Sequence, residues 1–255
     1  MPYPASYFRL NMFRQCRHRY KLHYVDDLAD DYKKARPYLT MGEHVHGALR
    51  DLFSLPVEDR SEDRLIQLMR DHWRKNREGF TELAEEKLYG ERATAQLRSF
   101  AQREDLAAQA LAVEDYHKVE VDDTLALLGR IDRIDRDGDG LHIIDYKTGA
   151  PRESDPLQLQ MYALIVVREF EPAPIRASYH YLETGEWITV QATEETMAQA
   201  LEDVRKQVAV VVAEREYPAT PGALCGYCDF LEICSDGRVF IESQPGAPEG
   251  EPLPE

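Results

Sequence analysis

An α/β layer fold, with helices packed on a sheet of mixed strands, is predicted by three features of this 255-residue chain. Residues 129–149 place two apolar runs around Asp137-Gly138-Asp139-Gly140, the pattern of a β-hairpin. A second strand pair, residues 175–182 and 187–191, flanks Glu183-Thr184-Gly185-Glu186. Long segments with helical spacing of apolar residues lie on both sides of these strands, which favours layers over a bundle.

Residues 6–25 interleave aromatics with arginines and read as one helix. Tyr7, Leu10, Phe13 or Arg14, Arg17 and Lys21 recur at helical intervals, and Ser6 is placed to cap the start. Residues 26–36 are charged and suit a loop or short helix. The next helix begins near Met41 and ends before Pro56, with His46, Leu49 and Leu52 or Phe53 sharing a side. Residues 61–76 and 81–115, rich in helix formers, read as helices separated by Asn76-Arg77-Glu78-Gly79. Trp73 is expected to pack in the core. Residues 117–135 are strand-like, turn at Asp122-Asp123 and lead into the hairpin. Residues 156–170 form an amphipathic helix on which Gln158 and Tyr162, spaced i and i+4, share a side. A long helix covers 194–215, and the chain turns irregular after Tyr217-Pro218. From Gln244 onward Pro, Gly and Glu carry no apolar period, so disorder is expected for 244–255 and a single domain for 1–243, with a helical section at 41–115.

The hairpin carries the chemistry. A turn centred between Gly138 and Asp139 sets Asp132 opposite Asp145, where two carboxylates about 5 Å apart can share a divalent cation. Period 2 puts Lys147 on the same face as Asp145 and turns Tyr146 away. The strand 140–147 is apolar on both faces until its end, as for a covered, nearly central strand.

The formal charge of −16 argues against broad coating of a nucleic acid duplex. A local basic strip, Arg9, Arg14, Arg17, Arg19 and Lys21, precedes the first acid, Asp26, and could still guide a strand, with Tyr7, Phe8 or Tyr20 available for stacking. No apolar run reaches about 18 residues and no secretory signal opens the chain, so a cytoplasmic protein without a membrane partner is expected. Four cysteines are too few for a disulfide scaffold. Cys225-x2-Cys228-x5-Cys234 supplies three thiolates, and Cys16 is the remaining cysteine. Four thiolates suit zinc or a [4Fe–4S] cluster, and composition does not choose between them.

Gly129-Arg130-Ile131-Asp132, a turn, and Ile143-Ile144-Asp145-Tyr146-Lys147-Thr148-Gly149 resemble the PD-(D/E)XK nuclease superfamily, particularly its RecB-like exonuclease branch with the Cas4-type and AddB-type nucleases. The resemblance implies a restriction-endonuclease-like mixed sheet flanked by helices. It also implies a metal set of His46, Asp132, Asp145 and the Tyr146 carbonyl for Mg²⁺ or Mn²⁺. Lys147 resembles the catalytic lysine, Gln158 and Tyr162 the motif on the following helix, and Glu114 a further upstream acid. The split of one early and three late cysteines is similar to relatives that hold an iron–sulfur cluster. The implied activity is hydrolysis of DNA at single-stranded or free ends, in repair, recombination or CRISPR adaptation. No Gly-x4-Gly-Lys-Ser/Thr loop is present, so unwinding would need a helicase partner. Two other readings are a weakly active or inactive DNA-binding subunit of a larger complex, and an α/β interaction protein closed by its cysteines.

Overall fold

A computed structural model describes residues 1–151, 155–170 and 175–244. The chain divides into two compact units, one of residues 1–4 and 35–202, the other of residues 5–34 and 203–255. The expected tail, apart from Gln244, lies outside the described residues.

The first unit is the predicted α/β layer structure. Its sheet contains β1 (Tyr3–Ala5), β2 (Ala110–Glu120), β3 (Leu125–Asp137), β4 (Gly140–Lys147), β5 (Ile175–Tyr181) and β6 (Glu186–Ala192), in the order β1-β3-β4-β5-β6, with β2 also paired to β3. β4 runs antiparallel to β3 and parallel to β5. It is buried along nearly its whole length, which explains why its sequence is apolar on both faces. The β3–β4 ladder runs from Asp137 opposite Gly140 to Arg133 opposite Ile144, the register expected from the turn, with Gly138 at a φ of 58° supplying the left-handed residue.

One side of the sheet is covered by α4 (Pro37–Phe53), α5 (Glu62–Lys75) and α6 (Leu83–Arg103), counting α1 to α3 in the second unit. Val45, Leu49 and Leu52 of α4, Leu65 and Met69 of α5, and Leu97 and Phe100 of α6 pack with Ile144 and Tyr146. Each such large apolar side chain contributes about 1.5–3 kcal/mol on burial. Ser61 caps α5 by accepting from the Arg64 amide at 3.1 Å, and Trp73 packs against this core as expected. Arg60 ties the loop before α5 to the sheet approach by donating to the carbonyls of Phe53, Leu55, Leu106 and Ala108. On the other side α7 (Leu157–Glu169) packs on β5, β3 and β4. There Gly129 is required by close approach, since a β-carbon would sit 2.9 Å from Ile165 Cδ1 and 3.1 Å from the Tyr162 ring.

Two helix expectations are corrected. The helix expected over 81–115 ends at Arg103, and residues 110–120 form β2. Ala110, Ala112, Val113 and Asp115 pair with β3 across a register shift between Ala110 and Ala112, and tertiary pairing overrides a composition that suits a helix. The helix expected over 6–25 is two, α1 (Tyr7–Gln15) and α2 (Arg17–Tyr24). Cys16 between them is extended, with φ −160° and ψ 113°, and its Sγ accepts from the Arg19 amide at 3.4 Å, so the thiol caps α2 instead of lying inside a helix. Ser6 caps α1 through the Arg9 amide at 3.1 Å, as expected.

The second unit is made of α1, α2, the short α3 (Ala29–Tyr32), the end of α8 (Glu194–Ala213), two 3-10 turns at Ala223–Tyr227 and Leu231–Ile233, and α9 (Ser235–Glu242). Aromatics fill it: Phe13 meets Tyr20 edge-on at 5.1 Å, and Phe230 is buried near His23 and Tyr32. Tyr20 is therefore not free to stack on a base, while Phe8 is exposed. The basic strip is partly neutralised, since Arg17 pairs with Glu214 at 2.6 Å and Lys21 with Asp26 at 2.6 Å.

Candidate active site

The site lies where β3 and β4 part. The ladder stops one pair short of Asp132 and Asp145, and the Asp132 carboxylate takes over as acceptor, its Oδ2 receiving the Tyr146 amide at 2.8 Å. The opened strand ends leave room for side chains instead of a further backbone bond. β2 adds a third acid. The pairs Val113–Arg133 and Asp115–Ile131 bracket Glu114 and set it across from Asp132. Glu114, Asp132 and Asp145 thus occupy one row over three neighbouring strands.

α4 contributes His46, whose Nδ1 lies 3.2 Å from Asp132 Oδ1. Ligand atoms of His46, Glu114 and Asp132 all lie within 4.8 Å of one another, close enough to surround one metal ion. His44, one of two histidines in the same segment, instead points its Nε2 to the Asn76 carbonyl at 2.8 Å. Glu114 is the residue whose importance the sequence left open. The helix-forming composition of 81–115 puts it at the end of a helix; on β2 it gains a fixed position relative to Asp132.

Asp145 lies outside that triplet and is held from the other side. Its Oδ2 pairs with Lys147 Nζ at 2.9 Å, and its Oδ1 accepts from Gln158 Nε2 at 3.1 Å. Gln158 Nε2 also donates to the Tyr162 hydroxyl at 3.0 Å, and Gln158 Oε1 accepts from Tyr179 at 3.2 Å and from Lys147 at 3.4 Å. The i, i+4 pairing on α7 is therefore realised, with Gln158 joining both the acid and the lysine. Tyr179 was not singled out by sequence; it faces the site because it is the parallel partner of Asp145 in β5, a register no sequence spacing reveals. Tyr146 turns to the opposite face, where its hydroxyl accepts from Arg133 at 2.8 Å and its ring packs at 5.7 Å from Phe100.

The charges are strongly coupled. Burial disfavours the imidazolium of His46, yet Asp132, with Asp145 and Glu114 behind it, pushes that group up to about 9. Burial also works against the Asp132 anion, but the adjacent His46 and the Tyr146 amide hold its carboxyl below the usual range. Burial, reinforced by Asp132 against the pull of Lys147, raises Asp145 to about 6. Burial raises Tyr162 well above its ordinary value, so it remains a neutral hydroxyl. His46 would have to give up its proton to ligate a divalent cation here, and the positive charge would offset the repulsion between the acids.

In the second unit Cys16, Cys225, Cys228 and Cys234 line one cavity with Leu22 and Phe230. None is in a disulfide. Backbone amides face the sulfurs: Arg19 and Thr220 at 3.4 and 3.5 Å from Cys16, Gly222 at 3.4 Å from Cys225, and Gly237 at 3.4 Å from Cys234. Burial pushes the Cys228 thiol up, with the Phe230 amide acting in the opposite sense.

A family model of the PD-(D/E)XK nuclease superfamily matches residues 4–235. Among solved structures, a candidate exonuclease of Eubacterium rectale is similar over 94% of this chain and 92% of that one, with 14% identity and a TM-score of 0.53. A protein named SSO0001 matches over 61% of this chain and 80% of its own, with 18% identity and a TM-score of 0.31. No curated protein matches the chain significantly. Among the described residues no helix is long and apolar enough to cross a membrane.

Proposed function

This chain belongs to the PD-(D/E)XK nuclease superfamily, and from that membership we propose that it is a metal-dependent DNA exonuclease of the RecB-like branch. The observation that carries the reading is the gathering of His46, Glu114 and Asp132 within 4.8 Å, beside an Asp145–Lys147–Gln158 network. Neither a DNA-binding subunit nor an interaction protein needs this combination.

Oxygen donors with one imidazole suit Mg²⁺ or Mn²⁺, the histidine favouring Mn²⁺. His46, Glu114, Asp132, Asp145 and the Tyr146 carbonyl are the proposed ligands; bound there, the ion lowers the pKa of water and polarises the scissile phosphate. The protein's own part is orientation and charge. Lys147, fixed by Asp145 and Gln158, places an ammonium where negative charge gathers on the phosphate oxygens. Gln158 holds Asp145 and Lys147 in one geometry, and Tyr162 and Tyr179 saturate the amide so that it cannot rotate away. Tyr162 is thus a positioning residue, its neutral hydroxyl accepting from Gln158 Nε2.

For the second unit we propose a [4Fe–4S] cluster held by Cys16, Cys225, Cys228 and Cys234, with a structural role. One feature supports it: the four thiols share one cavity with amide donors aimed at sulfur. DNA with single-stranded or free ends is the proposed substrate, and a helicase, repair or CRISPR protein the proposed partner, in the cytoplasm.

A strand-end-labelled cleavage series on single-stranded and duplex DNA with Mg²⁺, Mn²⁺ and chelator tests the function. Stepwise shortening that requires the metal is expected. Intact DNA under every metal condition would reject the enzyme reading in favour of a binding subunit.

A further inference from the structure

We infer that Arg50 and Arg130 are a positioning pair that clamps Glu114 into the metal-ligand set, an inference that rests on the proposed metal site. Both guanidinium groups donate to one oxygen, Glu114 Oε2, Arg50 Nη1 at 3.1 Å and Arg130 Nη2 at 2.8 Å. Among the described residues no donor takes the other oxygen, Oε1, which remains for a cation. The two arginines come from the two elements that carry the other members of the triplet. Arg50 follows His46 by one helical turn on α4, and Arg130 precedes Asp132 by two on β3, each on its partner's side of its element. A single carboxylate oxygen therefore registers β2 against both.

Glu114 needs such a hold. Its φ of 49° lies in the left-handed region that a β-carbon disfavours, inside a strand where neighbouring residues are extended. Left alone, the backbone would relax and withdraw the carboxylate. Arg50 is itself braced from behind: it donates through Nε to Asp51 Oδ1 at 2.9 Å, and Asp51 Oδ2 is bound by His72 at 2.8 Å. Gly47 admits that His72 ring, since a β-carbon there would meet it at 2.8 Å. The support thus runs from α5 through α4 to β2, outside the set of residues that touch the cation or the phosphate.

The electrostatic effect of the arginines opposes cation binding, while their geometric effect favours it. We assign the larger weight to geometry, because a displaced Glu114 forfeits a whole charged ligand, and loss of outer hydrogen-bond partners typically weakens a metal site about 10–100-fold. Mn²⁺ binding to the full-length protein, read from the electron paramagnetic resonance of the free ion, separates the two. Arg50→Ala combined with Arg130→Ala is expected to weaken Mn²⁺ binding about 10-fold or more, and Arg50→Lys to lose less than Arg50→Ala. In a Glu114→Gln background Arg50→Ala should add no further loss, as expected of a residue acting through Glu114. Unchanged or tighter binding in the double variant, or an equal Arg50→Ala effect in both backgrounds, would overturn the clamp. Should the double variant not fold, Arg130→Ala alone carries the test, because that side chain is mostly exposed. A wild-type protein that neither binds Mn²⁺ nor cuts DNA would remove the site and the clamp together, whereas wild-type binding indifferent to the arginines removes the clamp alone.

Discussion

The acidic pocket and the cysteine cavity gather reactive side chains by different means. In the pocket, regular structure does the placing: three strands in register align Glu114, Asp132 and Asp145, and helices supply His46 and Gln158. In the cavity helix starts and short turns do the placing. Short turns and a break between two helices bring the thiols together, and single amides aimed at sulfur replace a ladder. A site built on a sheet should survive loss of its ligands; a site built from turns should depend on what the turns hold. The fold of the first unit has its own apolar core, which explains the first half of that contrast.

The sharpest break in the comparison is predicted for Asp145→Asn. The variant should lose metal-dependent DNA cleavage entirely while its thermal unfolding stays close to wild type, measured with end-labelled DNA and calorimetry. Retained cleavage by a rigorously purified variant would remove Asp145 from the reaction. Cys16→Ala should do the reverse in kind: lowered folded yield and lost iron after anaerobic purification, read by iron and sulfide content and visible absorption. A colourless wild-type protein with stoichiometric zinc would reject the cluster.

Acid should weaken the first unit through His142 and His180. Burial first, with Arg176 adding, lowers His142 to about 4, and burial with Arg133 lowers His180 to about 3. In the unfolded chain both take up a proton near 6.5. At these two histidines the fold binds fewer protons than the unfolded chain in that interval, so their contribution to stability is complete above about 6.5 and declines as pH falls toward 4. Trp187 stacks on His180 at 3.8 Å, so urea unfolding followed by tryptophan fluorescence reads this unit. His142→Gln should flatten the decline between pH 6.5 and 4; an equally steep profile would exonerate that histidine. The smallest effect is expected for Gly129→Ala, which pushes a β-carbon against Ile165 and Tyr162 and should cost about 1–3 kcal/mol, measured as a lower urea midpoint. Because Tyr162 holds Gln158, kcat should fall with it.

Local pattern was enough for the hairpin and its register, because a tight turn leaves a two-stranded pairing little freedom. The same pattern yielded the face shared by Asp145 and Lys147, the helix carrying Gln158 and Tyr162, and the capping Ser6. It failed at residues 110–115, where a helix-forming composition is drawn into β2, and at Cys16, where unbroken helical periodicity hides an extended residue. Both failures fall on positions next to a proposed ligand site, where local preference yields to distant partners.

By itself, the sequence determined which side chains are present and how neighbours within one hairpin or one helix face each other, since both follow from fixed periods of 2 and 3.6 residues. Only the tertiary structure decided that Glu114 completes the triplet with His46 and Asp132, that Tyr179 backs Gln158, and that Arg50 and Arg130 meet on one carboxylate oxygen. Those contacts join residues far apart along the chain, and their distances depend on how strands pair and helices pack, which no local period encodes.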